Sequence, residues 1–188
     1  MASYLFVGLG NHERKYDNTI HNAGFIAIDA IINELKVNDL WKEKYSGLYK
    51  TIEIGEDKIM FVKPQTYMNN SGICVAQFKN FYKFEINNIF VFHDDIDLQP
   101  KQIKFKTGGG NGGHNGLKSL DQFIGNNYHR IRFGVGKPTG QIDISNYVLS
   151  RLDKDSCHFI EEMSCKIIKN INFFLEKQFS RVKENLHK

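Results

Sequence analysis

A histidine with a carboxylate behind it can activate water, because the carboxylate fixes the imidazole tautomer and stabilises the imidazolium that forms. His21 and Asp94 are candidates for that pair. Asn11, Asn69 and Asn115 each offer two donors and one acceptor without charge, which suits recognition of peptide-like amides and stabilisation of a developing oxyanion. Taken one at a time, such asparagines more often cap helices or make turns at strand ends. A serine nucleophile is not supported, since no Gly-x-Ser-x-Gly elbow is present. The three cysteines (Cys74, Cys157, Cys165) have no obvious partner histidine and no metal-ligand spacing.

Two other chemistries compete for the same residues. His93-Asp94-Asp95-x-Asp97 invites a metal, with His114 as a recruit. A strand would send Asp94 and Asp95 to opposite faces, which weakens that reading. The run Gly108-Gly109-Gly110-Asn111-Gly112-Gly113 formally fits a dinucleotide fingerprint, but no acidic residue stands about 20 positions on, and no Gly-Lys-Ser/Thr follows for a P-loop. Five glycines in six positions instead mark a loop that lies close to a ligand or moves.

These residues need a frame, and strands alternate with helices along the chain. Strands are expected over 4–9, 48–54, 58–62, 88–92, 102–106 and 129–135, and helices over 21–37, 70–82 and 115–124. Helix 70–82 is expected to turn Ile73, Phe78 and Phe81 inward, and residues 102–106 alternate as a half-exposed edge strand. Residues 153–185 read as one long or broken amphipathic helix. The pattern predicts an α/β fold: one domain over 1–188 with a twisted, mixed but largely parallel sheet flanked by helices. In such sheets ligands bind beyond the carboxyl ends of the strands, and each polar cluster follows a strand, so the loops are expected to share one rim.

At 188 residues with 41% hydrophobic content the chain can build a core, which excludes intrinsic disorder. No apolar run approaches the roughly 20 residues of a membrane span, and the start lacks a basic signal region, so a reducing cytoplasm is expected. The net charge of +4 lies wholly in residues 166–188, which hold six basic and two acidic side chains. A neutral body with a basic end suits a polyanionic partner, although a solvated helix face is the commoner meaning.

Taken together the segments become specific. Gly8-Leu9-Gly10-Asn11, Tyr16-x4-His21-Asn22-Ala23-Gly24-Phe25, Lys63-Pro64-x-Thr66-Tyr67-Met68-Asn69-x-Ser71-Gly72, His93-Asp94-x-x-Asp97-Leu98, the glycine run into His114-Asn115-Gly116-Leu117-Lys118, and Arg130-x-Arg132-x-Gly134-x-Gly136-x-Pro138 resemble bacterial-type peptidyl-tRNA hydrolases in order and spacing. The resemblance implies a monomeric esterase, without metal or organic cofactor, that cleaves peptide from the terminal ribose of tRNA and so recycles tRNA from stalled ribosomes. It implies His21 as the base and Asp94 as its orienting carboxylate. Asn69 and Asn115 would hold substrate and catalytic water, and Asn11 would contact the peptide backbone. Tyr16, Tyr67, Met68 and His114 would shape the cleft, and Lys104, Lys106 and Arg132 would grip a tRNA phosphate. Gln99-Pro100-Lys101 departs from the family's usual turn. Asp95 stands where a glutamate is usual and is expected to face away from the site. The alternatives are a non-catalytic RNA-binding module and a metal-dependent hydrolase using Asp94 and His114.

Overall fold

The computed structural model describes residues 2–188. Seven strands, β1 (Ser3–Gly8), β2 (Lys42–Lys44), β3 (Gly47–Ile54), β4 (Asp57–Pro64), β5 (Ile89–Asp95), β6 (Ile103–Thr107) and β7 (His129–Gly134), form one sheet in the order β2-β3-β4-β1-β5-β7-β6. The four central strands β4, β1, β5 and β7 are parallel, and both edges are antiparallel. The α/β class and mixed sheet match the expectation. Ile89-Phe90-Val91-Phe92 is fully buried, as a central parallel strand with helices on both faces requires.

Alternate side chains on the strands enter two separate cores. Phe6, Phe90, Phe92, Ile131 and Phe133 pack with helices α1 (Ala23–Glu34), α5 (Lys154–Lys169), α6 (Ile171–Leu175) and α7 (Phe179–Leu186). Leu5, Val7, Ile89 and Val91 pack with α2 (Ser71–Tyr82) and α3 (Asn115–Ile124) on the other face. A short α4 (Ile144–Val148) lies between β7 and α5. The C-terminal segment is thus the broken form, interrupted at Asn170 and again after Leu175.

Several expectations need correction. The helix after β1 begins at Ala23, and His21 sits in a preceding 3-10 turn, Ile20–Asn22. Gly24 allows this: a Cβ there would stand 2.3 Å from the Phe92 carbonyl and 2.4 Å from the Leu9 nitrogen, so α1 meets the ends of β1 and β5 at backbone distance. In α2, Ile73 and Phe81 are 43% and 56% exposed. The buried stripe is Ser71, Gly72, Cys74, Val75 and Phe78, because small residues let α2 close against α3, where the Gly72 nitrogen donates to Ser119 Oγ at 2.8 Å. Strand β2 and helix α4 leave no pattern in the sequence, since at three and five residues they are too short to carry a period.

The largest correction concerns the glycine run. Because β6 is antiparallel to β7, Thr107 pairs with His129 at the end of the sheet opposite Asp94, which pairs with Phe133. The loop therefore does not start on the rim. It must return about four strand residues, roughly 13 Å, to bring His114 beside Asp94. Gly108, Gly109, Gly112 and Gly113 take positive φ of 59–92°, a backbone open chiefly to glycine. The buried Arg130 guanidinium holds the crossing, donating to the Gly110 carbonyl and, at 3.0 Å, to the Gly109 carbonyl.

Candidate active site

His21, Asp94 and His114 converge although 73 and 20 residues separate Asp94 from its partners. Asp94 is buried. His21 Nδ1 lies 3.1 and 3.0 Å from its two oxygens, and His114 Nε2 lies 2.9 Å from Oδ1. The His114 tautomer follows from its other nitrogen, Nδ1, which accepts the Gly116 and Leu117 amides at 3.1 and 3.3 Å as the N-cap of α3. Nε2 therefore carries the proton and donates to Asp94. With His21 donating from Nδ1, its Nε2 is left as the acceptor. One carboxylate thus orients two imidazoles, whose ring centroids are 4.6 Å apart.

The electrostatics favour a base. Burial pushes the His21 pKa down, but the charge of Asp94 and its hydrogen bond outweigh that and hold it above the ordinary histidine value. Burial pushes Asp94 up, yet His21 and His114 hold its carboxyl well below the usual carboxylate range. His93 is driven the other way, down to about 4, by burial and by neighbouring His114. Its Nδ1 lies 2.7 Å from the Asp94 carbonyl, and its buried Nε2 has no partner among the described residues.

The ligand atoms of His21, Asp94 and His114 lie within 4.8 Å of one another, close enough to suggest a metal. They already face each other as hydrogen bonds, however, and Nε2 of His114 is protonated while Nδ1 caps a helix. An ion would have to displace the ring protons and the contacts that set the site, so the donor set fits a proton relay better than a metal centre.

A cavity of about 450 Å³ opens beside this cluster. It is lined by His21, Asp94, His114 and Asn115, by the glycine loop, and by Lys106 and Arg132. Ile144, Ser145 and Val148 of α4 form another part of its wall. Asn11, Tyr16, Tyr67, Met68 and Asn69 lie outside this lining. Asn11 is buried and its Oδ1 accepts the Met68 amide at 2.9 Å, which ties the loop after β1 to the turn before α2 and leaves Nδ2 as the free end of the amide. Asn22, which the spacing argument did not single out, holds Asn11 by a reciprocal pair at 2.7 and 3.0 Å. Asn69 and Asn115 are exposed, with no side-chain partner among the described residues. Tyr67 is exposed and donates to Glu13, three residues before Tyr16.

The three sequence-predicted cations sit together on one face of the β6–β7 edge. Lys104 is paired with Arg132 and Lys106 with Arg130, and Lys104 and Lys106 are exposed. Asp95 does not face away from the site. It lines the same cavity, and its Oδ2 accepts Arg132 Nε at 2.8 Å. The basic C-terminal segment lies elsewhere: Lys177 contacts Asn88 and the Tyr4 ring, at the opposite end of β5 and β1. Lys166 and Lys169 are engaged by Leu186, Glu162 and Glu34.

Similarity to known proteins agrees with this architecture. The peptidyl-tRNA hydrolase family model matches residues 5–188. A peptidyl-tRNA hydrolase of Rickettsia bellii (strain RML369-C) is 46% identical over 182 residues, covering 97% of this chain and 98% of that one. One from Rickettsia africae (strain ESF-5) is 46% identical over 183 residues with the same coverage. The crystal structure of the Acinetobacter baumannii peptidyl-tRNA hydrolase superposes with a TM-score of 0.87 at 31% identity, over 97% of this chain and 93% of that one. On a match of that extent the chain belongs to the peptidyl-tRNA hydrolase family.

Proposed function

We propose that this chain hydrolyses the ester joining a peptide to the terminal ribose of tRNA, with His21 as general base, and so returns tRNA stranded on unfinished peptides. As the resemblance implies, it would act as a cytoplasmic monomer on peptidyl-tRNA. His21 Nε2 takes a proton from water as the water attacks the ester carbonyl, and Asp94 stabilises the imidazolium. The tetrahedral oxyanion is met by neutral amide donors, for which Asn11, Asn69 and Asn115 are the candidates. Collapse breaks the bond to the ribose oxygen, which leaves with the proton held on His21. The products are a peptide carboxylic acid and a tRNA with a free ribose hydroxyl.

The observation that carries this reading is the buried Asp94 carboxylate aligning His21 at a cavity whose lining also holds Lys106 and Arg132. The amide of Asn11 is locked through its oxygen, so Nδ2 stays available to donate to a peptide carbonyl. Lys104, Lys106 and Arg132 form a cation row that can grip phosphate without reading bases, which suits an enzyme that accepts many tRNAs. Ester hydrolysis on a purified peptidyl-tRNA tests the reading. His21→Ala should lower kcat by about 10²–10⁴ with little change in tRNA affinity. Near wild-type turnover, or activity abolished by a chelator and restored by metal, would sink it.

A further inference from the structure

The guanidinium of Arg132 is not free. Its Nε donates to Asp95 Oδ2 at 2.8 Å, with the two side chains only 21% and 14% exposed. Neither Nη has a protein partner among the described residues. The other Asp95 oxygen accepts the Asp97 amide at 2.9 Å, so the carboxylate is itself fixed by the turn after β5. Its backbone is fixed as well: Asp95 pairs with Gly134, and its carbonyl accepts the Val135 amide at 3.0 Å. Asp95 follows Asp94 directly in the strand.

We propose that Asp95 is a positioning residue: it orients Arg132 so that the two free Nη groups are presented to a tRNA phosphate, and it fixes that cation to the strand that carries the catalytic carboxylate. This rests on the reading of Arg132 as a phosphate contact. An arginine held at Nε keeps its two terminal amino groups for bidentate contact with an oxyanion, and pre-ordering the fork lowers the entropy cost of binding. A lone countercharge would only weaken phosphate binding. Asp95 is half-buried and held at both carboxylate oxygens, by Arg132 and by the Asp97 amide, and that geometry is that of a support.

Asp95→Asn is the discriminating variant. Its Oδ1 can still accept the Asp97 amide, so the turn survives, while an NH₂ replaces the oxygen that faced Nε. Steady-state hydrolysis would be compared on full-length peptidyl-tRNA and on an N-acetyl-aminoacyl ester of a CCA trinucleotide, which lacks the remote phosphates. The expected result is a KM for the full-length substrate raised about three- to tenfold, a smaller effect on the trinucleotide ester, and recovery of most of the loss in Asp95→Glu. In an Arg132→Ala background Asp95→Asn should add nothing. Unchanged or tighter binding, equal losses on both substrates, or additive losses in the double variant would overturn the proposal. If Arg132→Ala alone leaves KM unchanged, the phosphate reading itself fails. If Arg132→Ala weakens binding but Asp95→Asn does not, only the role of Asp95 fails.

Discussion

His114 serves two structures at once, and the two can be separated by substitution. Nδ1 caps α3 and Nε2 donates to the buried Asp94. Asparagine is among the best N-cap residues but is too short to span to Asp94 from the same position, whereas alanine does neither job. A hydrogen bond to a buried charged group contributes about 1.5–3 kcal/mol, and a cap about 1 kcal/mol. His114→Asn should therefore destabilise by about 1.5–3 kcal/mol and His114→Ala by about 1 kcal/mol more. In a chain of this size 1 kcal/mol shifts the midpoint by about 2–4 °C, so the two variants should differ by that much in thermal unfolding followed by circular dichroism. Catalysis supplies a second readout. With one donor gone, Asp94 is a stronger acceptor for His21, so the acid limb of the kcat/KM profile should move to higher pH in both variants. Equal melting temperatures would refute the cap assignment. An acid limb that stays in place, or moves to lower pH, would refute the shared carboxylate.

Two further outcomes follow from the same geometry. His21 holds its proton above the ordinary histidine value, so its contribution to stability is complete below about pH 6.5 and is lost as pH rises through the raised folded value. Asp94 is depressed, so its contribution is present above about pH 3.9 and is lost as pH falls through the folded value. Both shifts report one interaction, and unfolding midpoints should be highest between about pH 4 and 6.5, with that feature flattened in Asp94→Asn; an unchanged profile in the variant would contradict the linkage. Lys104→Ala, Lys106→Ala and Arg132→Ala should each raise KM on peptidyl-tRNA and reduce the slope of log KM against log salt by about 0.7–0.9 for each phosphate the side chain neutralises. Slopes equal to that of the wild type would remove the residue from the phosphate grip.

Much of this was legible along the chain, and the misses have physical causes. The apolar run at Ile89–Phe92 and the alternation at Ile103–Lys106 report burial directly, so the central and edge strands could be placed from local pattern. The direction of β6 could not, because polarity is set by pairing with β7 and leaves no trace in residues 103–107. That single unknown reversed the start of the glycine loop. The stripe of α2 misled in part for a different reason: Phe78 is buried as expected, but Ser71 and Gly72 face inward because close helix contact selects small side chains, and Ile73 and Phe81 are left exposed. His21, Asp94 and Asn115 were identifiable by chemical type, whereas Asn22 and Arg130 act on backbone carbonyls and amides and could be found only once the loops were in place.

The period of two in β5 explains how one strand end serves two tasks. Phe90 and Phe92 face α1, and Asp94 continues that face toward His21. Val91 faces α3, and His93 and Asp95 continue that face, where His93 is paired with Arg132 and Arg132 with Lys104. A metal shared by Asp94 and Asp95 would have to defeat this alternation; the strand instead gives one carboxylate to His21 and the next to Arg132. His114 is the exception that joins the faces: it bonds Asp94 while its ring packs edge-on against His93 at 5.3 Å. It can do so because it enters from a loop, free of the strand's alternation, and the glycine run that delivers it crosses on the cation face. On the proposed roles, cleavage and tRNA grip would meet within two consecutive residues of one strand. The basic C-terminal segment, which carries the whole net charge, is anchored through Lys177 at the other end of β5 and β1.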